Sequence, residues 1–180
     1  MLNRIENLLR KKIRVIKDFP KKGIMFQDVF SLIEDPKTLN IIIKEISKIV
    51  KKNKYTKIIG IEARGFIFGS LIAMQNNIPF IPIRKKGKLP GSIFKKRYKL
   101  EYGFDQIEIH KKSITKKDKV LIVDDLIATG GTANASASLV KKMSPKEINF
   151  LFIIDLYNLD GAEKLKKAGY NVTSLIKTEG

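Results

Sequence analysis

An α/β fold is predicted for this chain: one domain built on a central, mostly parallel sheet with helices on both faces. Strand-like and helix-like segments alternate from Lys57 onward, which is the pattern of a parallel sheet with helical crossovers. The runs Lys57–Ile61, Val120–Asp125 and Ile148–Asp155 are continuously apolar rather than alternating, as strands covered on both faces must be. At 180 residues the chain has the size of one domain, able to bury roughly 70% of its unfolded surface.

Taken in order, Leu2, Ile5, Leu8, Leu9, Ile13 and Ile16 recur every three or four residues and predict an amphipathic helix before the breaker Asp18-Phe19-Pro20. A second helix is predicted over 36–52, with Asp35 as N-cap and Pro36 at the first helical position. Then come a strand over 57–61, a helix over 66–75 and strands over 80–83 and 120–124. A helix over 131–142, a strand over 148–156 and a helix over 161–168 complete the series. Between Arg84 and Lys119 the rhythm breaks. That interval holds glycines, lysines and a hairpin of Phe94–Glu101 and Gln106–His110, and it reads as a mobile flap over a site.

Composition narrows the chemistry. There is no cysteine, so disulfides, thiolate metal sites and a cysteine nucleophile are excluded. No segment approaches the roughly 18 apolar residues of a membrane span, and the charged N-terminal region offers no signal-peptide core, so the cytoplasm is the expected compartment. Lys and Arg outnumber Asp and Glu by 36 to 18. The excess of +18 fits either solvated lysines whose field attracts small anions or a nucleic-acid partner, and its spread along the chain favours the first. His110 sits among lysines at a hairpin end and reads as a surface residue. Tyr98, Tyr102 and Phe104 fit flap packing better than a stacking platform for single strands.

One stretch concentrates chemistry. Val120–Val123 form the buried strand, Asp124 and Asp125 emerge at its end, and Ala128, Thr129, Gly130, Gly131 and Thr132 lead into a helix. Ligands of open α/β sheets gather beyond the carboxyl ends of strands, where free amides at a helix start and closely approachable glycines hold an anion. Adjacent carboxylates can accept from two ribose hydroxyls. Piece by piece the same residues also suit a turn with an N-cap and a tight loop. The two common phosphate motifs, G-x-x-x-x-G-K-[ST] and G-x-G-x-x-G, do not occur.

The run from Val120 to Ala133 resembles the phosphoribosyl diphosphate motif of type I phosphoribosyltransferases. Asp18-Phe19-Pro20 with Gly23–Phe26, then Glu62–Phe66, Ile83–Gly91 and Leu100–Gly103 follow in the order of adenine phosphoribosyltransferases, and the similarity covers nearly the whole chain. The resemblance implies a single domain over 1–180, with an N-terminal helix and base-bordering loop over 1–35 and an inserted flexible β-hairpin flap over 84–119. It implies that adenine and 5-phosphoribosyl 1-diphosphate give AMP and diphosphate, in a homodimer, with Mg²⁺ held mainly by the sugar diphosphate and no direct protein ligand. Neither a membrane nor a nucleic-acid partner is expected.

By position, the resemblance assigns the 5-phosphate to Ala128, Thr129, Gly130, Gly131 and Thr132, and the ribose to Asp124 and Asp125. Arg64, Lys85 and Lys88 would meet the diphosphate, Met25, Phe26 and Gln27 the base, and Glu101 would take its proton. A non-proline cis peptide is implied near Glu62–Ala63. Gln27 stands where the family usually has Arg, which leaves its backbone contact as the expected one. A transferase for hypoxanthine, guanine or xanthine, and a purine-sensing regulator on the same fold, are the alternatives.

Overall fold

The computed structural model describes residues 2–99 and 103–180, with side chains from Ile5 onward. The first helix, α1, covers Leu2–Lys12 and is followed by two short antiparallel strands, β1 (Arg14–Lys17) and β2 (Met25–Asp28). The helical spacing of apolar residues ran on to Ile16, yet Ile16 lies on β1 and is 39% exposed. Pairing of Ile16 with Phe26 across the small sheet overrides the local period.

After β2 come α2 (Phe30–Glu34) and α3 (Pro36–Asn53). The Asp35 side chain accepts from the Lys37 amide at 3.1 Å and from the Thr38 hydroxyl at 2.8 Å, so α3 begins at the N-cap and N1 proline that the sequence marked. The α/β series follows as β3 (Lys57–Ile61), α4 (Arg64–Asn76), β4 (Phe80–Lys85), β5 (Ile93–Lys99), β6 (Phe104–His110) and β7 (Lys119–Ile127). It ends with α5 (Gly131–Lys141), β8 (Glu147–Leu156), α6 (Gly161–Lys167) and β9 (Asn171–Thr178).

The seven-stranded sheet has the order β5-β6-β4-β3-β7-β8-β9. From β4 to β9 all neighbours are parallel, whereas β6 is antiparallel to β4 and β5 to β6. The hairpin is therefore an extension of the main sheet: Arg84 pairs with Glu108, and Ile107 and Ile109 join the core with Ile114. On one face Ala137, Leu139 and Val140 of α5 and Leu165 of α6 pack on Ile122, Phe150 and Phe152. On the other, Ile5 and Leu9 of α1, Ile42 and Ile46 of α3 and Phe68 of α4 cover Ile58, Leu121 and Leu151. The result is a helix–sheet–helix sandwich with its core on both sides of β3, β7 and β8.

Connectivity locates the site. The chain runs from β3 through α4 to β4 on one side, and from β7 through α5 to β8 on the other, so strand order reverses between neighbours β3 and β7. Ligands of open α/β sheets bind where that reversal opens a crevice at the carboxyl ends.

Candidate active site

A cleft of about 210 Å³ opens at that reversal. Arg64, at the start of α4, forms one wall, and the stretch Asp124–Ala133 forms the floor, with Lys99 and Phe152 at the margins. The register Gly60 to Val123 holds β3 and β7 level, which brings the loop after β3 opposite the end of β7. The Glu62–Ala63 peptide bond in that loop is cis, as the resemblance implied. Glu62 itself turns away from the cleft, accepting from Arg84 Nε at 3.0 Å and from the Lys85 amide at 2.7 Å. The Arg84 hydrogen bond leads in holding its carboxyl below the ordinary glutamate range.

Arg64 Nε meets Asp125 Oδ2 at 2.7 Å. The pair uses one edge of the guanidinium, a planar fork with five donors, so the same side chain can serve an anion in the cleft. Asp125 is buried and Asp124 half-buried, and the Asp124 Oδ1 accepts from the Asp125 amide at 2.9 Å. Burial pushes both carboxyls above the ordinary aspartate range. Asp124 rises further because the neighbouring Asp125 charge adds to desolvation, whereas Arg64 draws Asp125 back.

Those shifts have a consequence for stability. From the ordinary aspartate range up through the raised native value, the folded protein binds more protons than the unfolded chain, so stability falls as pH rises across that window. Asp124→Asn removes the half-buried charge and keeps an oxygen acceptor. Its thermal midpoint at neutral pH should rise, by about 2–4 °C for each kcal/mol relieved, and the gain should vanish in acid where wild-type Asp124 is already protonated. Thermal unfolding at both pH values checks this, and a midpoint below wild type at neutral pH would refute it.

The floor is shaped by two glycines. Gly130 is the N-cap of α5 with φ +82, and among the described residues no side chain caps that helix, which leaves its first-turn amides suited to a ligand. A Cβ on Gly161, at the start of α6, would lie 2.1 Å from the Ala128 carbonyl oxygen and 2.7 Å from the Gly130 nitrogen. The Gly161 amide instead donates to Ala128 O at 3.0 Å, and α6 thereby props the loop from behind.

Of the residues singled out in the sequence, the cleft gathers Arg64, Asp124, Asp125, Ala128, Thr129, Gly130, Gly131 and Thr132. Lys85 and Lys88 are not in its lining: Lys85 pairs with Asp105, and Lys88 is exposed. Met25, Phe26 and Gln27 lie on β2, where Met25 is 42% exposed and Phe26 packs edge-on against Phe19 at 5.1 Å between ring centres. Gln27 is buried, its Nε2 donating back to Met25 O at 3.3 Å, so its side chain is spent on its own strand. Glu101 lies outside the described residues. Sequence reasoning did not reach Lys99, Phe152 or Gly161. Only the glycine after Asp160 gave a local signal, and it reads as an ordinary helix start.

Residues 31–179 match the family of the phosphoribosyl transferase domain. The chain is 50% identical over 169 residues to the adenine phosphoribosyltransferase of Methanococcus vannielii, covering 94% of this chain and 96% of the relative. The crystal structure of adenine phosphoribosyltransferase from Thermoanaerobacter pseudethanolicus superposes with a TM-score of 0.86 at 43% identity, covering 99% of this chain and 100% of that one. The Saccharomyces cerevisiae enzyme, crystallised with an imino-altritol bisphosphate and adenine, gives a TM-score of 0.89 at 34% identity over 96% of this chain and 99% of its own. The match of sequence and of fold over nearly the whole length shows that the chain belongs to the phosphoribosyltransferase family, among the adenine phosphoribosyltransferases.

Proposed function

We propose that this chain salvages adenine, joining it to 5-phosphoribosyl 1-diphosphate to give AMP and diphosphate. The observation that carries the reading is the cleft itself, where an uncapped helix start, two adjacent carboxylates and an arginine line one pocket. The 5-phosphate lies on Ala128–Thr132, whose backbone amides and Thr129 hydroxyl donate to it. Asp124 and Asp125 accept from the ribose hydroxyls and face the positive charge that develops on the sugar as its bond to diphosphate breaks. Arg64 and the lysines of the flap, Lys85 and Lys88, meet the diphosphate.

The base enters beside Met25, Phe26 and the backbone of residue 27. As its ring nitrogen bonds to the ribose carbon, the proton on the imidazole ring passes to Glu101, and diphosphate leaves with the electron pair of the broken bond. Magnesium would be held mainly by the oxygens of the sugar diphosphate, with no direct protein ligand. When bound with the sugar diphosphate, such an ion would offset the negative charge of the diphosphate that Arg64, Lys85 and Lys88 meet.

The single domain comprises the base-bordering segment over 1–35, the α/β body and the flap over 84–119. Val15, Ile16, Phe19, Ile24, Met25 and Phe30 leave an exposed apolar patch around β1 and β2, a surface suited to a second copy of the chain. Among the described residues no helix is long and apolar enough to cross a membrane, and the cytoplasm suits a chain without cysteine.

Purified protein mixed with phosphoribosyl diphosphate, magnesium and each purine base in turn should form nucleotide fastest with adenine. Preference for hypoxanthine, guanine or xanthine would reassign the base, and no turnover with any base alongside salt-sensitive DNA binding would overturn the enzyme. Sedimentation should give twice the 20.5 kDa chain mass. A monomer would remove the proposed dimer.

A further inference from the structure

The flap is tied to the phosphate loop through one buried hydroxyl. Tyr98 on β5 is 8% exposed and stands between the hairpin and the start of α5. The Thr132 hydroxyl donates to its oxygen at 3.1 Å, and the Tyr98 hydroxyl donates to Asp105 Oδ2 at 3.2 Å. Lys85 Nζ closes the chain, paired with the same Asp105 oxygen and 3.4 Å from the Tyr98 oxygen. Asp105 and Tyr98 face each other across the β5–β6 ladder, so strand register holds the acceptor opposite the donor.

From this connection we infer that Tyr98 is a positioning residue that links the two phosphate ends of the sugar site. It fixes the Thr132 hydroxyl on the 5-phosphate side and, through Asp105, restrains Lys85 on the diphosphate side. The inference rests on the roles given above to Thr132 and Lys85. Thr132 has one hydroxyl proton, and it is given to Tyr98, so the 5-phosphate must compete with Tyr98 for it. Lys85 carries its charge already matched by Asp105, so diphosphate must compete with a carboxylate for it. Burial lowers the lysine's proton affinity, but Asp105 and Tyr98 outweigh this and leave it above the ordinary range, and the ammonium stays charged. Neither Tyr98 nor Asp105 belongs to the lining of the cleft.

The test compares wild type, Tyr98→Phe and Asp105→Asn by steady-state kinetics and by titration with ribose 5-phosphate, inorganic diphosphate and adenine separately. Tyr98→Phe should tighten ribose 5-phosphate and lower the KM for phosphoribosyl diphosphate by about 5- to 10-fold, because the Thr132 proton no longer given to Tyr98 becomes free to donate to the phosphate. Adenine affinity, kcat and the thermal midpoint should stay near wild type. Asp105→Asn should tighten inorganic diphosphate by about 2- to 5-fold, because the half-buried ion pair no longer holds Lys85. The inference is overturned if Tyr98→Phe weakens ribose 5-phosphate or leaves its affinity within about twofold of wild type, or changes adenine affinity equally. Should Tyr98→Phe fail to fold, Asp105→Asn decides alone, and unchanged diphosphate affinity refutes the link. Anion titrations need no base, so a failure of wild-type turnover with adenine is seen separately from a failure of this link.

Discussion

Glu101→Gln lowers turnover with adenine by about 10²–10⁴, the usual contribution of a positioned general base, while the affinity for phosphoribosyl diphosphate stays near wild type. The physical reason is that the amide is isosteric with the carboxylate but cannot take the proton released as the new bond forms. The residues proposed to hold the sugar, Arg64 and the Asp124–Thr132 floor of the cleft, are by contrast left untouched by the substitution. Measuring kcat and the sugar substrate's KM separately decides the matter. A near-normal kcat would remove Glu101 from the mechanism and leave the base to lose its proton to water.

Gly161→Ala is the second large effect, and it acts without touching substrate. The new methyl would fall on the Ala128 carbonyl oxygen and the Gly130 nitrogen, both backbone atoms, so the loop itself must shift. Misplacing binding groups by about 1 Å can cost on the order of 10²-fold. The expected outcome is a rise of up to about 10²-fold in the KM for phosphoribosyl diphosphate, with the fold intact by circular dichroism. If the KM stays within about twofold, α6 is not what sets the loop's geometry. Gly130 is constrained from the same side, since its φ of +82 and the 3.1 Å approach of Gly161 leave no place for a side chain.

These expectations divide by how they were legible. The strands β3, β7 and β8 could be read residue by residue because burial on both faces demands an unbroken apolar run, which is a property of the strand alone. β9 escaped, since at the sheet's edge Asn171–Thr178 mixes polar and apolar positions and only Leu175 and Ile176 are buried. α2, with five residues, is too short to show a period. The flap looked like a polar insertion, but Ile107, Ile109 and Ile114 belong to the core beneath it. The burial of three consecutive residues there, Ile107, Glu108 and Ile109, follows only once β6 has paired with β4 and β5.

The same division runs through the site. By itself the sequence determined the floor, because Asp124 to Thr132 are consecutive, and a strand end, a turn and a helix start are all local events. It also determined the α/β class, through apolar runs and their spacing. Only the tertiary structure decided that Arg64 meets Asp125, that Gly161 backs Ala128 and that Tyr98 joins Thr132 to Asp105. Those pairs lie on different elements and meet because the strand order reverses between β3 and β7 and because β5 folds back beside α5. A local pattern carries no record of such approaches, since side-chain periodicity reports which face is buried and not which distant residue buries it.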